Sequence, residues 1–142
     1  MNMSYTATAS IRINALLKKV WVALTVPEQV KVYFFGSDLI TDWKVGSPIF
    51  FRGEWDGKPY EDKGHVLSFE PEKTLSYDYW SALSGIPDKP ELYQIIRYDL
   101  REESDGVEVT FTQSNVDTQE NADRFSKNWD MVLKELKKFL EK

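Results

Sequence analysis

An α+β fold is predicted for this chain, with a curved antiparallel sheet of about six to seven strands around a long C-terminal helix and two short helices after the first strand. Three observations predict it. Apolar residues recur every three or four positions through 118–142, the spacing of one helical face. Residues 38–115 form alternating runs separated by turn residues, the pattern of hairpin-linked strands. A single alternating run followed by two short helical patterns opens the chain.

The first run places Tyr5, Ala7, Ala9, Ile11 and Ile13 opposite Thr6, Thr8, Ser10 and Arg12, a strand with one buried face. Asn14 is suited to cap a helix whose apolar stripe is Leu17, Val20, Trp21 and Leu24. Thr25-Val26-Pro27-Glu28 reads as a capping box with proline in the first turn. It opens a second helix through Val30, Tyr33 and Phe34, which Gly36 ends.

A short strand over 38–43 closes on a turn at Val45-Gly46. Ile49, Phe51, Gly53 and Trp55 then alternate with Phe50, Arg52 and Glu54, and Asp56-Gly57 is a strong hairpin signal. The return strand covers 63–69, and Pro71-Glu72-Lys73 turns into Leu75, Tyr77 and Tyr79. Gly85, Pro87 and Pro90 make 81–90 a loop. Strands at 93–100 and 107–113 form the last hairpin around Ser104-Asp105-Gly106.

The final helix carries Phe125, Trp129, Val132, Leu133, Leu136, Phe139 and Leu140 on one face. Lys127, Asp130, Lys134, Glu135, Lys137, Lys138 and Glu141 fill the other. Asp117 or Thr118 caps its start, and the lysines gather near its end, as the helix dipole prefers. At ~1.5 Å per residue it spans roughly 35 Å and needs a broad apolar surface to lie on.

At 142 residues the chain reads as one domain over 1–142, without repeats or linkers. Its net charge of −5 argues against nucleic acid, whose phosphates require a basic stripe. No cysteine is present, which removes disulfides and thiol chemistry, and no stretch approaches the ~18 apolar residues of a membrane span. Residues 1–10 lack the pattern of a secretory signal, so a cytoplasmic location is expected.

Catalytic motifs are sparse. His65 is the one histidine, no Gly-x-Ser-x-Gly elbow occurs, and no glycine cluster opens a helix to cradle phosphate. Glu54, Asp56, Glu61, Asp62 and His65 gather near one hairpin, but their spacing fits a solvated tip rather than a metal site. Glu54, Asp78, Arg97 and Gln113 are the strand-borne polar groups considered for acid–base work; alternation turns Arg97 outward. No catalytic residue, metal ligand or cofactor is assigned.

The aromatic content, five Trp, seven Tyr and eight Phe, points elsewhere. Phe51 and Trp55 share one strand face, Leu75, Tyr77 and Tyr79 another, and Ile96, Tyr98 and Leu100 a third. Val109, Phe111 and Gln113 form a fourth, with Phe125, Trp129 and Leu133 descending from the helix. The expected ligand-binding set is Phe51, Trp55, Tyr77, Tyr79, Tyr98, Phe111, Gln113, Phe125, Trp129 and Leu133, an apolar pocket with few polar anchors. Solid packing of the same rings is the alternative. The 81–90 loop, with Ile86, is either a lid or a plain connection.

Four stretches carry a family resemblance. They are Val20-Trp21-Val22-Ala23-Leu24-Thr25-Val26-Pro27-Glu28; Asp42-Trp43-Lys44-Val45-Gly46; Gly64-His65-Val66 with Pro71 and 75–80; and Trp129 with Leu133, Leu136 and Leu140. The chain resembles the START-like (SRPBCC) superfamily, in the branch related to the activator of the heat-shock protein 90 ATPase. It departs from that branch at Asn128, where glycine is usual before the helical tryptophan, and at Gln113, where many members carry histidine.

The resemblance implies a helix-grip fold with a cavity between sheet and long helix. It implies several functions, since relatives include lipid carriers, hormone receptors, cyclases and co-chaperone domains. The first expectation is non-enzymatic binding of a small hydrophobic or amphipathic molecule, such as a lipid, flavonoid or polyketide-like compound. The alternatives are a cyclase- or aromatase-like enzyme using the same cavity, and a co-chaperone-like domain that stimulates a chaperone ATPase.

Overall fold

The computed structural model describes residues 5–141, without the side chain of Trp55. β1 (Tyr5–Ile13) buries Ala7, Ala9 and Ile13 and exposes the polar residues between them. α1 (Leu17–Thr25) buries Val20, Trp21, Ala23 and Leu24. α2 (Pro27–Tyr33) buries Val30 and Tyr33. Four strands follow, β2 (Asp38–Ile40), β3 (Pro48–Trp55), β4 (Lys58–Glu70) and β5 (Thr74–Ser81). A 3-10 turn at Pro90–Leu92 leads to β6 (Gln94–Glu103), β7 (Gly106–Val116) and α3 (Gln119–Leu140).

All seven strands form one antiparallel sheet in the order β1-β7-β6-β5-β4-β3-β2. The sheet curves around α3, which packs its Trp129, Val132, Leu133 and Leu136 into the core shared with Phe51, Tyr77, Tyr98 and Phe111. The helix-grip architecture and the two short helices after the first strand are as the sequence predicts. No helix among the described residues is long and apolar enough to cross a membrane.

Turn chemistry explains the register. Asp56 and Gly57 both adopt left-handed conformations, with φ of 53° and 76°, which matches a two-residue hairpin turn to the strand twist. Trp55 consequently pairs with Lys58. The expected strand at 63–69 begins five residues earlier, at Lys58, because that tight turn feeds pairing at once. The short strand expected over 38–43 is Asp38–Ile40, since Trp43 turns away with a φ of 61°.

Two predicted caps are corrected. Asn14 does not cap α1, whose N-cap is Leu16; the Asn14 backbone N–H instead donates to Glu141 at the far end of α3, at 2.7 Å. Thr25 forms no capping box, because its hydroxyl donates back to the carbonyl of Trp21 at 2.8 Å, and the N-cap of α2 is Val26. For α3, Thr118 is the cap, accepting from the Asn121 N–H at 3.0 Å, while Asp117 holds the Asn121 side chain at 2.8 Å.

Candidate functional site

Between the sheet and the N-terminal half of α3 lies a cavity of about 490 Å³. Each wall has a separate origin in the chain. β5 contributes Tyr77, Tyr79 and Ser81, because the inward row of that strand ends on alternating tyrosines. β6 and β7 contribute Gln94, Ile96 and Gln113. From α3 come Phe125, Trp129 and Val132, with Arg124 and Asn128 towards the mouth. The end of α2 supplies Phe34 and Phe35.

The remaining wall is the loop after β5, through Leu83, Ile86 and Leu92. It is tied down at both ends. Trp80 Nε1 donates to the Ile86 carbonyl at 2.8 Å, and Asn115 Nδ2 donates to the carbonyls of Glu91 and Tyr93 at 3.2 and 2.9 Å. Lys63 pairs with Asp88 at 2.7 Å, which adds a third tie. The 81–90 segment thus contributes to the cavity wall and is bonded to the rest of the domain through Ile86 and Asp88.

Aromatic packing sets the shape of the floor. Phe34 stacks on Phe51 with centroids 5.7 Å apart and meets Trp129 edge-on at 5.8 Å. Phe111 lies 4.3 Å from Tyr98 in a stacked pair and 5.0 Å from Trp129 in a T-shaped one. Such offset and edge geometries hold rings at fixed angles through their quadrupoles. The hydroxyls of Tyr77 and Tyr98 meet at 2.9 Å, so neither buried phenol is left without a partner. Burial pushes the ionisation of both well above the ordinary tyrosine value, and both are neutral hydrogen-bonding groups.

Two polar features interrupt this apolar interior. Trp129 Nε1 donates to Gln113 Oε1 at 2.8 Å, and Gln113 Nε2 donates to Gln94 Oε1. Asp62 is buried on the inward row of β4 with Val66, and one of its oxygens accepts from the Tyr79 hydroxyl. Its Oδ1 has no partner among the described residues. Burial raises its pKa, and the hydrogen bond from Tyr79 opposes that rise. The solvated hairpin tip expected around Asp62 is thus corrected: Glu54, Asp56, Glu61 and His65 are exposed, but Asp62 faces inward.

Of the ten residues expected in a binding site, Tyr77, Tyr79, Gln113, Phe125 and Trp129 line the cavity. Phe51, Tyr98, Phe111 and Leu133 sit in the packed layer behind the wall. The side chain of Trp55 lies outside the described residues. Among the polar candidates, Glu54 and Arg97 are exposed, Asp78 accepts from the His65 backbone N–H at 2.6 Å, and Gln113 faces in.

With this geometry in place, comparison with known proteins is decisive on family. The model of the family described as Activator of Hsp90 ATPase homolog 1-like protein matches residues 14–141. The chain belongs to that family. Among solved structures, this family member is similar to a Cytophaga hutchinsonii protein determined in solution, at 44% identity and a TM-score of 0.85, covering 99% of this chain and 97% of that one. It is also similar to the Aha1 dimer from Colwellia psychrerythraea, at 24% identity and a TM-score of 0.74, covering 96% of each chain. CalU16 from Micromonospora echinospora shares the fold at 20% identity and a TM-score of 0.77, over 96% of this chain and 76% of that one. No curated protein matches the chain.

Phe34, Phe35, Leu92 and Gln94 are among the wall residues outside the expected binding set. Gln94 had a readable signal. It shares strand parity with Ile96 and Tyr98, which alternation already turned inward.

Proposed function

We propose that this domain binds a small hydrophobic or amphipathic molecule in the cavity beneath α3, without chemical turnover. A lipid, flavonoid or polyketide-like compound fits the volume and lining. The observation that carries this reading is the aromatic-walled space of about 490 Å³, within the range of small-molecule sites. Tyr77, Tyr79, Gln113, Phe125 and Trp129 are the proposed contacts. Phe51, Tyr98, Phe111 and Leu133 are proposed to hold those contacts in place, and Trp55 stays in the proposed set from its position on β3.

Proton–nitrogen NMR titration with fatty acids, flavonoids, sterols and aromatic polyketide-like compounds tests the proposal. Saturable shifts centred on the indole of Trp129 and the amides of Gln94, Gln113 and Phe125 are expected with at least one class. Absence of saturable shifts with every class would overturn it.

One observation favours a second, enzymatic reading. Asp62 is a buried carboxylate bonded to Tyr79, a residue of the cavity wall. A cyclase-like reaction needs such a positioned acid or base. Product analysis of any bound compound after prolonged incubation separates the two readings. Family membership also supports a co-chaperone-like reading, for which stimulation of a chaperone ATPase is the test.

A further inference from the structure

The polar groups of the cavity have a direction that follows from elementary hydrogen-bond chemistry. An indole nitrogen carries a hydrogen to donate and has no lone pair with which to accept. Trp129 Nε1 lies 2.8 Å from Gln113 Oε1, so the oxygen of that carboxamide is committed to the indole. Gln113 Nε2 then has only hydrogens to offer, and it offers one to Gln94 Oε1. The oxygen of Gln94 is thereby occupied, and its Nε2 is the free end of the chain.

All three residues line the cavity and are nearly buried: Gln94 is 7% exposed, Gln113 4% and Trp129 7%. Gln94 Nε2 makes no hydrogen bond among the described residues and keeps some accessible surface, and the residue lines the cavity. A carboxamide nitrogen with no acceptor therefore stands on the cavity wall, and α3 fixes its orientation through two intervening bonds.

The geometry points to a ligand that presents a hydrogen-bond acceptor to Gln94, namely the carbonyl oxygen of a ketone or ester on an otherwise apolar body. This rests on the small-molecule reading of the cavity and sharpens it. A carbonyl accepts without bringing a hydrogen of its own that would need burying. A pure hydrocarbon of the same shape leaves the Gln94 N–H groups stripped of water and unpaired, which is worth about tenfold in affinity. Trp129 is a positioning residue here. Without its donor, both carboxamides are free to rotate by half a turn and present oxygen to the cavity.

Two naphthalenes that differ only at the acceptor provide the test: 2-acetylnaphthalene and 2-isopropenylnaphthalene, in which a CH₂ replaces the carbonyl oxygen. Dissociation constants from NMR titration of the full chain are expected to favour the acetyl compound about tenfold. Equal affinity would overturn the inference and leave the cavity reading standing. Failure of both compounds to bind would overturn the inference, and the cavity reading falls with it only if the fatty acids, flavonoids and sterols also fail.

Gln94→Glu accepts from Gln113 as before but presents an oxygen to the cavity, so at pH 8 the acetyl preference is expected to vanish or reverse. Trp129→Phe leaves Gln94 intact and is expected to reduce the preference to about twofold, by freeing the carboxamides to rotate. Preservation of the full preference in either folded variant would place the donor elsewhere and overturn the inference. The dispersion of the remaining indole signals reports whether each variant is folded.

Discussion

The indole nitrogen of Trp43 donates to the carbonyl oxygen of Thr25 at 2.9 Å. This bond joins two of the stretches that mark the family, the first-helix segment and the tryptophan-to-glycine turn. The ring of Trp43 also stacks on Phe69 at 5.4 Å, and Phe69 meets Trp21 of α1 at 5.3 Å. The four residues clamp the α1–α2 corner onto β4. Trp43→Phe keeps most of the stacking and removes the donor. A loss of about 1–2 kcal/mol is expected in urea unfolding, mostly from the orphaned carbonyl.

Gly64 is required by a close backbone approach. A Cβ at this position would come within 1.8 Å of the Asp78 carbonyl oxygen on the neighbouring strand. The adjacent His65 N–H is bonded to the Asp78 side chain at 2.6 Å, which leaves the strand little room to retreat. Gly64→Ala is therefore expected to destabilise the fold by about 1–3 kcal/mol. Thermal unfolding of the variant gives the answer, and an unchanged midpoint would mean that β5 yields freely.

Asp62 makes stability depend on pH in a direction unusual for a carboxylate. Burial raises its folded-state pKa, and the hydrogen bond from Tyr79 recovers only part of the cost. Folding therefore favours the protonated form. The contribution is fully present below the unfolded pKa, ~3.9, and is lost as pH rises through the raised folded value. Asp62→Asn is expected to gain about 1 kcal/mol at pH 7, with the gain shrinking towards pH 4. Urea titrations at both pH values check it; an equal effect at the two would contradict the assignment.

Phe35 couples a backbone cost to a wall of the cavity. It holds a left-handed φ of 54° and is 58% exposed, yet its ring lines the mouth. Phe35→Gly relieves the backbone strain and removes the ring. Stability is expected to hold or rise by up to about 1 kcal/mol, while affinity for any cavity ligand falls. Paired melting and titration curves would show the two changes moving in opposite directions.

The helices and strands were legible because their signals are local and repeat. The stripe from Phe125 to Leu140 needs only the helical period, and the inward set on β7 needs only alternation. The caps differ because packing decides the partners: α1 starts after Leu16, two residues beyond Asn14, and the Thr25 hydroxyl donates back to Trp21. Phe34 and Phe35 escaped because they reach the cavity from the end of α2, where no period continues. Gln94 and Asp62 escaped for another reason. Both sit at inward strand positions, and each is held inside by a partner from a distant segment that alternation does not reveal: Gln113 for one and Tyr79 for the other.

The order of the strands has a consequence for how the chain comes to be folded. From β2 to β7 each strand lies beside its predecessor, so that part of the sheet can grow by successive neighbouring pairings. β1 is the exception. Ile13 pairs with Val107 and Ala7 with Gln113, across more than half the length of the chain. During synthesis β1 emerges first and waits, its apolar face uncovered, until β7 has left the ribosome. Closing so long a loop is entropically slow, and the docking of β1 is the step at which this small domain is most exposed to misassociation.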